Sequence, residues 1–200
     1  IIMQKVILAS RNKGKIREIG EILQKCGMEV ISRDDAGIPT FEVEETGETF
    51  EENSYIKAKA IMDIANVPTI ADDSGIMVDA LDGGPGVYSA RYAGENCTYE
   101  DNNIKLLEAL KDVPDEKRGA HFVSVITMLF PDGRKIVARG EVYGTIIHET
   151  RGEMGFGYDP LFIPDGYDIT FGEMDPEEKN RISHRANSLK KLEELLSAEK

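Results

Sequence analysis

Two β-rich runs, residues 120–130 and 135–147, flank Pro131-Asp132-Gly133-Arg134. Proline followed by Asp-Gly is turn chemistry, so the pair predicts one long hairpin. The sequence before it alternates. Val6, Ile7 and Leu8 read as a strand over residues 5–10. Ile16, Ile19, Ile22 and Leu23 share a face of a helix over 13–26 that Gly27 ends. Residues 28–31 make a short strand. Thr49 with Glu52 forms a capping box, and Phe50, Ala58, Ile61 and Ala65 line one face of the helix that follows. After Pro68, Thr69-Ile70-Ala71 leads as a strand into Asp72-Asp73-Ser74-Gly75, where it is expected to end. Gly83-Gly84-Pro85-Gly86 is a turn cluster. Thr98 and Asp101 cap a helix carrying Ile104, Leu107 and Leu110. Asp175-Pro176-Glu177-Glu178 opens the last helix, with Ile182, Ala186, Leu189 and Leu196 as its core stripe. The mixture is α/β. No repeat, linker or composition break divides it, so residues 1–200 read as one domain.

Charge and cysteine content narrow the function. Net charge is −13. Without a basic patch, such a surface repels long nucleic acids. The apolar runs are too short to span a bilayer, and the first residues lack a secretory pattern. Ile1 and Ile2 precede Met3, which is the expected natural start. Cys26 and Cys97 lie far apart and outside any CxxC spacing. Two reduced thiols in a cytoplasmic protein fit that pattern better than a disulfide or zinc site.

Four segments carry candidate chemistry. Ser10-Arg11-Asn12-Lys13-Gly14-Lys15 lies where a strand hands over to a helix, and backbone N–H groups and two ammonium groups there favour phosphate. It is not a Walker loop; an ordinary lysine-bearing surface turn is its bland reading. In Asp72-Asp73 neighbouring side chains of a strand point to opposite faces, so one acid can face a site at the strand end. A turn is the bland alternative. Gly155-Phe156-Gly157-Tyr158-Asp159-Pro160 reads either as a tight turn with buried rings or as an aromatic platform for a base, with Asp159 as acceptor. Lys179, Ser183, His184 and Arg185 fall on the last helix, as a salt-bridged flank or a pocket border. The acidic segment Glu42–Glu52 reads as a solvated loop and helix start. His121 and His148 look structural.

Taken in order, SRNKGK (10–15), EETGETFEENSYIKA (44–58), ADDSG (71–75), GGPGVYSARYAG (83–94), GFGYDP (155–160) and EEKNRISHR (177–185) resemble the inosine/xanthosine triphosphate pyrophosphatase family. The resemblance spans nearly the whole chain. It implies an elongated mixed β-sheet flanked by helices, two lobes with a cleft between them, and a homodimer. It places Ser10, Arg11, Asn12, Lys13, Gly14, Lys15 and Lys57 on the triphosphate. Glu45 and Asp73 become the metal acids, and Asp73 also the proton acceptor. Ser74 becomes a substrate contact. Phe156, Gly157, Tyr158 and Asp159 become the base loop, and Lys179, His184 and Arg185 close over the nucleotide. Two positions depart from the family pattern: Thr46, where an acid is common, and Ser54, where a small apolar residue is common.

The expected reaction is Mg²⁺-dependent hydrolysis of ITP, dITP and XTP to monophosphate and pyrophosphate. Water attacks the α-phosphorus, and Asp73 either takes its proton or holds the metal. Rivals are a Maf-type nucleotide pyrophosphatase and a nucleotide-binding regulator without turnover. An aspartyl-phosphate phosphatase is disfavoured because its DxDxT order is missing.

Overall fold

The computed structural model describes residues 3–199; the expectation about Ile1 and Ile2 lies outside them. The strands are β1 (Gln4–Leu8), β2 (Met28–Ser32), β3 (Thr69–Val78), β4 (Gly119–Leu129), β5 (Lys135–Ile146) and β6 (Phe162–Pro164). The α-helices are α1 (Lys13–Lys25), α2 (Phe50–Ala65), α3 (Tyr99–Ala109), α4 (Pro176–Ile182) and α5 (His184–Ala198). The six strands form one sheet in the order β2-β1-β3-β4-β5-β6. β1 runs parallel to β2 and β3, while β6 is antiparallel to β5, so the sheet is mixed. The predicted hairpin is present: Phe130 N–H bonds the Arg134 carbonyl at 3.0 Å across the turn joining β4 and β5. Among the described residues no helix is long and apolar enough to cross a membrane.

The chain divides into two compact units. The first comprises residues up to Asp73, Ser124–Gly140 and the chain from Arg185 onward. Strand alternation organises its core. Val6, Leu8, Ile70, Ile126 and Met128 pack with Ile19 and Leu23 of α1 and Leu189 and Leu192 of α5. Their neighbours Ile7, Ala9, Ala71 and Leu129 pack instead with Ala58 and Ile61 of α2. Both faces of these strands are therefore covered, which is why they read as continuous apolar runs.

The second unit comprises Ser74–Val123 and Glu141–His184. Its core joins Ile76, Val78, Leu106, Leu110, Phe122, Phe162 and Phe171. Phe122 meets Phe162 edge-on at 4.7 Å. Arg118 is fully buried and donates to the carbonyls of Leu110 (2.6 Å), Ile146 (2.8 Å) and Ile147 (3.0 Å). Its guanidinium thus satisfies backbone acceptors where α3 and β5 end.

Three expectations need correction. β3 does not stop at the acids: it continues through Asp72-Asp73-Ser74-Gly75 to Val78. Backbone pairing and the apolar residues Ile76 and Val78 carry the strand past residues that alone favour turns. At α3 the core residues are Leu106 and the C-cap Leu110, with Leu107 partly buried against them, while Ile104 is 58% exposed. The last helix is two helices, because Ser183 takes an extended conformation (φ −66°, ψ 163°) between α4 and α5. Ile182 consequently packs in the second unit's core, and Leu189 and Leu196 in the first's.

Candidate functional site

In the first unit, adjacent acids of β3 have different fates. Asp72 is buried, and its Oδ2 lies 3.0 Å from Lys15 Nζ and 3.5 Å from Arg185 Nη2. Ser124 Oγ donates to its Oδ1 at 2.5 Å and lies 2.8 Å from Ser188 Oγ. Arg185 also pairs with the buried Glu18 of α1. Burial alone would raise the Asp72 pKa. The Lys15 and Arg185 charges and the Ser124 hydroxyl outweigh it and hold the carboxyl well below the usual carboxylate range. Two cations and two anions compensate one another here, so Asp72 is committed to structure.

Asp73 is also buried, but only half engaged. Its Oδ1 lies 3.0 Å from Lys57 Nζ, and its Oδ2 has no hydrogen-bond partner among the described residues. Burial raises its pKa, with Lys57 and Lys15 opposing. Lys57, on α2 two turns past the capping box, also reaches Glu45 Oε1 at 2.7 Å and the Asp72 carbonyl at 3.0 Å. Burial pulls the Lys57 pKa down, but Asp73 and Glu45 more than reverse that, so it stays an ammonium. Burial lowers the Lys15 pKa, against the pull of Asp72.

The turn before α1 is capped from within. Asn12 Oδ1 accepts from Gly14 N (3.0 Å) and Lys15 N (3.2 Å), and Ser10 Oγ accepts from Asn12 N at 3.1 Å. The amides expected to be open to phosphate are thus partly occupied by the cap. Lys13 is exposed, and Arg11 contacts Asp34 (3.4 Å) and Thr40 (3.1 Å) on the following loop. Ser54 Oγ lies 2.6 Å from Thr127 Oγ1 and donates to the Glu51 carbonyl at 3.0 Å. Its hydroxyl is thereby satisfied inside the core.

In the second unit, the 155–160 loop is tied by Asp159. This acid accepts from Phe156 N (2.9 Å) and Lys179 Nζ (2.7 Å), with both members of the ion pair buried. Tyr158 is buried and donates to the Ser89 carbonyl at 2.6 Å; burial raises its phenol pKa. Of the two rings, only Phe156 is half-exposed, and Lys179 Nζ lies 5.1 Å from its centroid. Gly155 and Gly157 have φ of +73° and +61°, and a Cβ on Gly155 would fall 2.2 Å from Asp159 Oδ2. The loop therefore requires glycine at 155 for space as well as conformation. Ser74 is half-buried in β3. His184 stacks on Phe122 at 4.8 Å, with the ring planes 16° apart.

Lys15, Lys57, Glu45, Asp73 and Arg185 thus come together within the first unit, and Phe156, Asp159 and Lys179 within the second. His184 and Arg185, adjacent in sequence, serve different units. Sequence reasoning missed Glu18, Ser124, Ser188 and the anchoring part of Asp72. Their partners lie 52 to 167 residues away, and no local pattern announces them. No cluster of three or more metal-ligating side chains occurs among the described residues.

Comparison with known proteins agrees with this architecture. The Ham1 family model matches residues 6–195. A Clostridium perfringens protein named dITP/XTP pyrophosphatase is 49% identical, over 97% of this chain and 98% of that protein. A Bacillus subtilis protein of the same name is 48% identical, over 99% and 100%. The structure of the Staphylococcus aureus Ham1 protein superposes with a TM-score of 0.86 at 45% identity, covering 98% of this chain and all of that one. A Mycobacterium abscessus structure described as nucleoside-triphosphatase / dITP/XTP pyrophosphatase gives 0.75 at 43% identity, covering 94% and 98%. The chain belongs to the Ham1 family.

Proposed function

We infer that this protein is a nucleoside-triphosphate pyrophosphatase. It hydrolyses dITP, XTP and ITP to the nucleoside monophosphate and pyrophosphate, and so clears non-standard purines from the nucleotide pool. Nearly full-length identity of 48–49% to proteins bearing the dITP/XTP pyrophosphatase name supports the reaction. The single structural observation that carries it is Asp73. A buried carboxylate oxygen without a partner among the described residues, beside a lysine that stays charged, is a group kept ready for something outside the chain.

Lys15 and Lys57, with Lys13, Arg11 and the Ser10–Gly14 turn, hold the triphosphate. A protein of net charge −13 binds this polyanion because local charge decides. Glu45 and Asp73, which share the Lys57 ammonium, suit Mg²⁺, an ion content with one or two carboxylates when phosphate oxygens and water complete its shell. Held there, Mg²⁺ would supply charge neutralisation for the phosphates and the leaving pyrophosphate. Asp73 Oδ2 accepts the proton of the water that attacks the α-phosphorus, and the α–β phosphoanhydride bond breaks. Burial, which raises the Asp73 pKa, favours that proton acceptance. Mg²⁺ would compete with the proton for Asp73 Oδ2, the oxygen that Lys57 leaves open.

Phe156 stacks on the purine, backed by Lys179 and Asp159, with Gly157 and Tyr158 shaping the loop. Ser74, His184 and Arg185 complete the nucleotide contacts. A pocket donating N–H groups to the six-position oxygen rejects adenine, whose amino group also donates. The proposed assembly is a homodimer in the cytoplasm, which light scattering and fractionation test.

The reaction is tested with XTP, dITP, ITP, ATP and GTP plus Mg²⁺, assaying pyrophosphate and orthophosphate separately. The expected result is pyrophosphate from the first three, with kcat/KM about 100-fold or more above ATP and GTP. Orthophosphate release, or tight binding without product, contradicts it.

A further inference from the structure

The helix α3 is absent from every role assigned so far, yet one of its faces meets the base loop. Tyr99 and Asn103 are one turn apart on that face. The Asn103 side chain is buried, and its Nδ2 donates to the Gly157 carbonyl at 3.1 Å. Its Oδ1 is buried without a hydrogen-bond partner among the described residues. Reversing the amide would set that oxygen against the Gly157 carbonyl, so the bond fixes the orientation. A leucine of similar size would fill the same space and leave no orphan acceptor. Packing therefore does not account for an amide here; the bond to Gly157 does. Tyr99, 49% exposed, sets its ring 6.2 Å from Phe156 at a tilt of 44°, within the range of interacting aromatic pairs.

We propose that Asn103 and Tyr99 are positioning residues for purine recognition. Asn103 holds the backbone of the loop at Gly157, where φ is +61°, and Tyr99 holds the Phe156 ring from the side. Asp159 ties the loop from within, while α3 ties it from outside. The ligand class is the purine base of a nucleoside triphosphate, and the assignment rests on the base-loop reading above. The two residues act before chemistry: they set how well the base binds and how sharply XTP is told from GTP, while phosphate and water are handled elsewhere.

The test measures kcat and KM for XTP and GTP in Asn103→Leu, Asn103→Asp and Tyr99→Ala, with Phe156→Ala as control and thermal unfolding as the check on folding. The expected result is a KM for XTP raised about 3- to 10-fold in Asn103→Leu, the value of one hydrogen bond. Asn103→Asp should do more, because it faces an acceptor with an acceptor. Tyr99→Ala, exposed enough to leave folding intact, should raise KM about 2- to 5-fold. In each, kcat should stay within about twofold and the XTP:GTP ratio of kcat/KM should fall. A general loss of structure would lower kcat and thermal stability together and leave that ratio unmoved. If Phe156→Ala raises KM while folded Asn103→Leu and Tyr99→Ala do not, the positioning assignment is wrong and the base loop stands. If Phe156→Ala also leaves KM unchanged, the base-loop reading falls, and this assignment with it.

Discussion

The two units solve the problem of holding a functional group in opposite ways. In the first, charges position one another: buried Glu18, Arg185 and Asp72 and the partly buried Lys15 form a set in which each ion answers another. In the second, the backbone does most of the placing: Gly155 and Gly157 fold a loop, one ion pair locks it, and a ring is left half-exposed. The first arrangement fixes side-chain charges against one another. The second fixes a backbone conformation and leaves one aromatic ring accessible. The same contrast recurs between neighbours on β3, where Asp72 is fully engaged and Asp73 keeps one oxygen open.

The contrast can be broken most severely at Asp73. Asp73→Asn should lower kcat for XTP by about 100- to 10,000-fold while the protein stays folded, as judged by circular dichroism and steady-state pyrophosphate release. Turnover within tenfold of wild type would remove it from the chemistry.

The next effect in size is on stability, and it falls on the other acid. Asp72→Asn leaves Lys15 and Arg185 undercompensated in a buried site, and urea unfolding should show a loss of about 3–5 kcal/mol. The pH dependence of the metal-free protein sharpens the point. The folded pKa of Asp72 lies below its unfolded value of about 3.9, so its stabilisation is present above that pH and is lost as pH falls toward the folded value. Asp73 has the opposite sign. Its folded pKa is raised, so its contribution is complete below the unfolded value and is lost as pH rises through the folded one. With chelator present at neutral pH, Asp73→Asn should therefore match or exceed wild-type stability, while Asp72→Asn falls below it.

Smaller effects belong to the second unit. Phe156→Ala should raise KM for XTP by about 10-fold, in line with the loss of one base–aromatic stack, and leave thermal stability nearly intact. Tyr158→Phe should lower stability by only about 1 kcal/mol, through loss of the bond to the Ser89 carbonyl, and barely touch KM. A KM change in Tyr158→Phe as large as that in Phe156→Ala would make Tyr158 part of the platform.

Much of this was legible in the sequence, for physical reasons that also explain the misses. Both capping boxes, Thr49–Glu52 and Thr98–Asp101, are local hydrogen-bond patterns and occur as read. The hairpin turn is equally local. The continuation of β3 past its acids was hidden, because sheet pairing overrides the turn preference of Asp, Ser and Gly. The break at Ser183 was hidden because Ile182, Ala186 and Leu189 keep helical spacing across it, although they serve two cores. At the candidate site, Lys57 and Asp73 were singled out from motifs, and the structure sets them 3.0 Å apart. The network around Asp72 was not, because Glu18, Ser124, Ser188 and Arg185 are brought together only by tertiary folding.

The most direct test of the central claim is hydrolysis of XTP in heavy-oxygen water, with mass spectrometry of both products. Attack on the α-phosphorus predicts heavy oxygen in the nucleoside monophosphate and none in pyrophosphate. Label in pyrophosphate, or in released orthophosphate, would contradict the account.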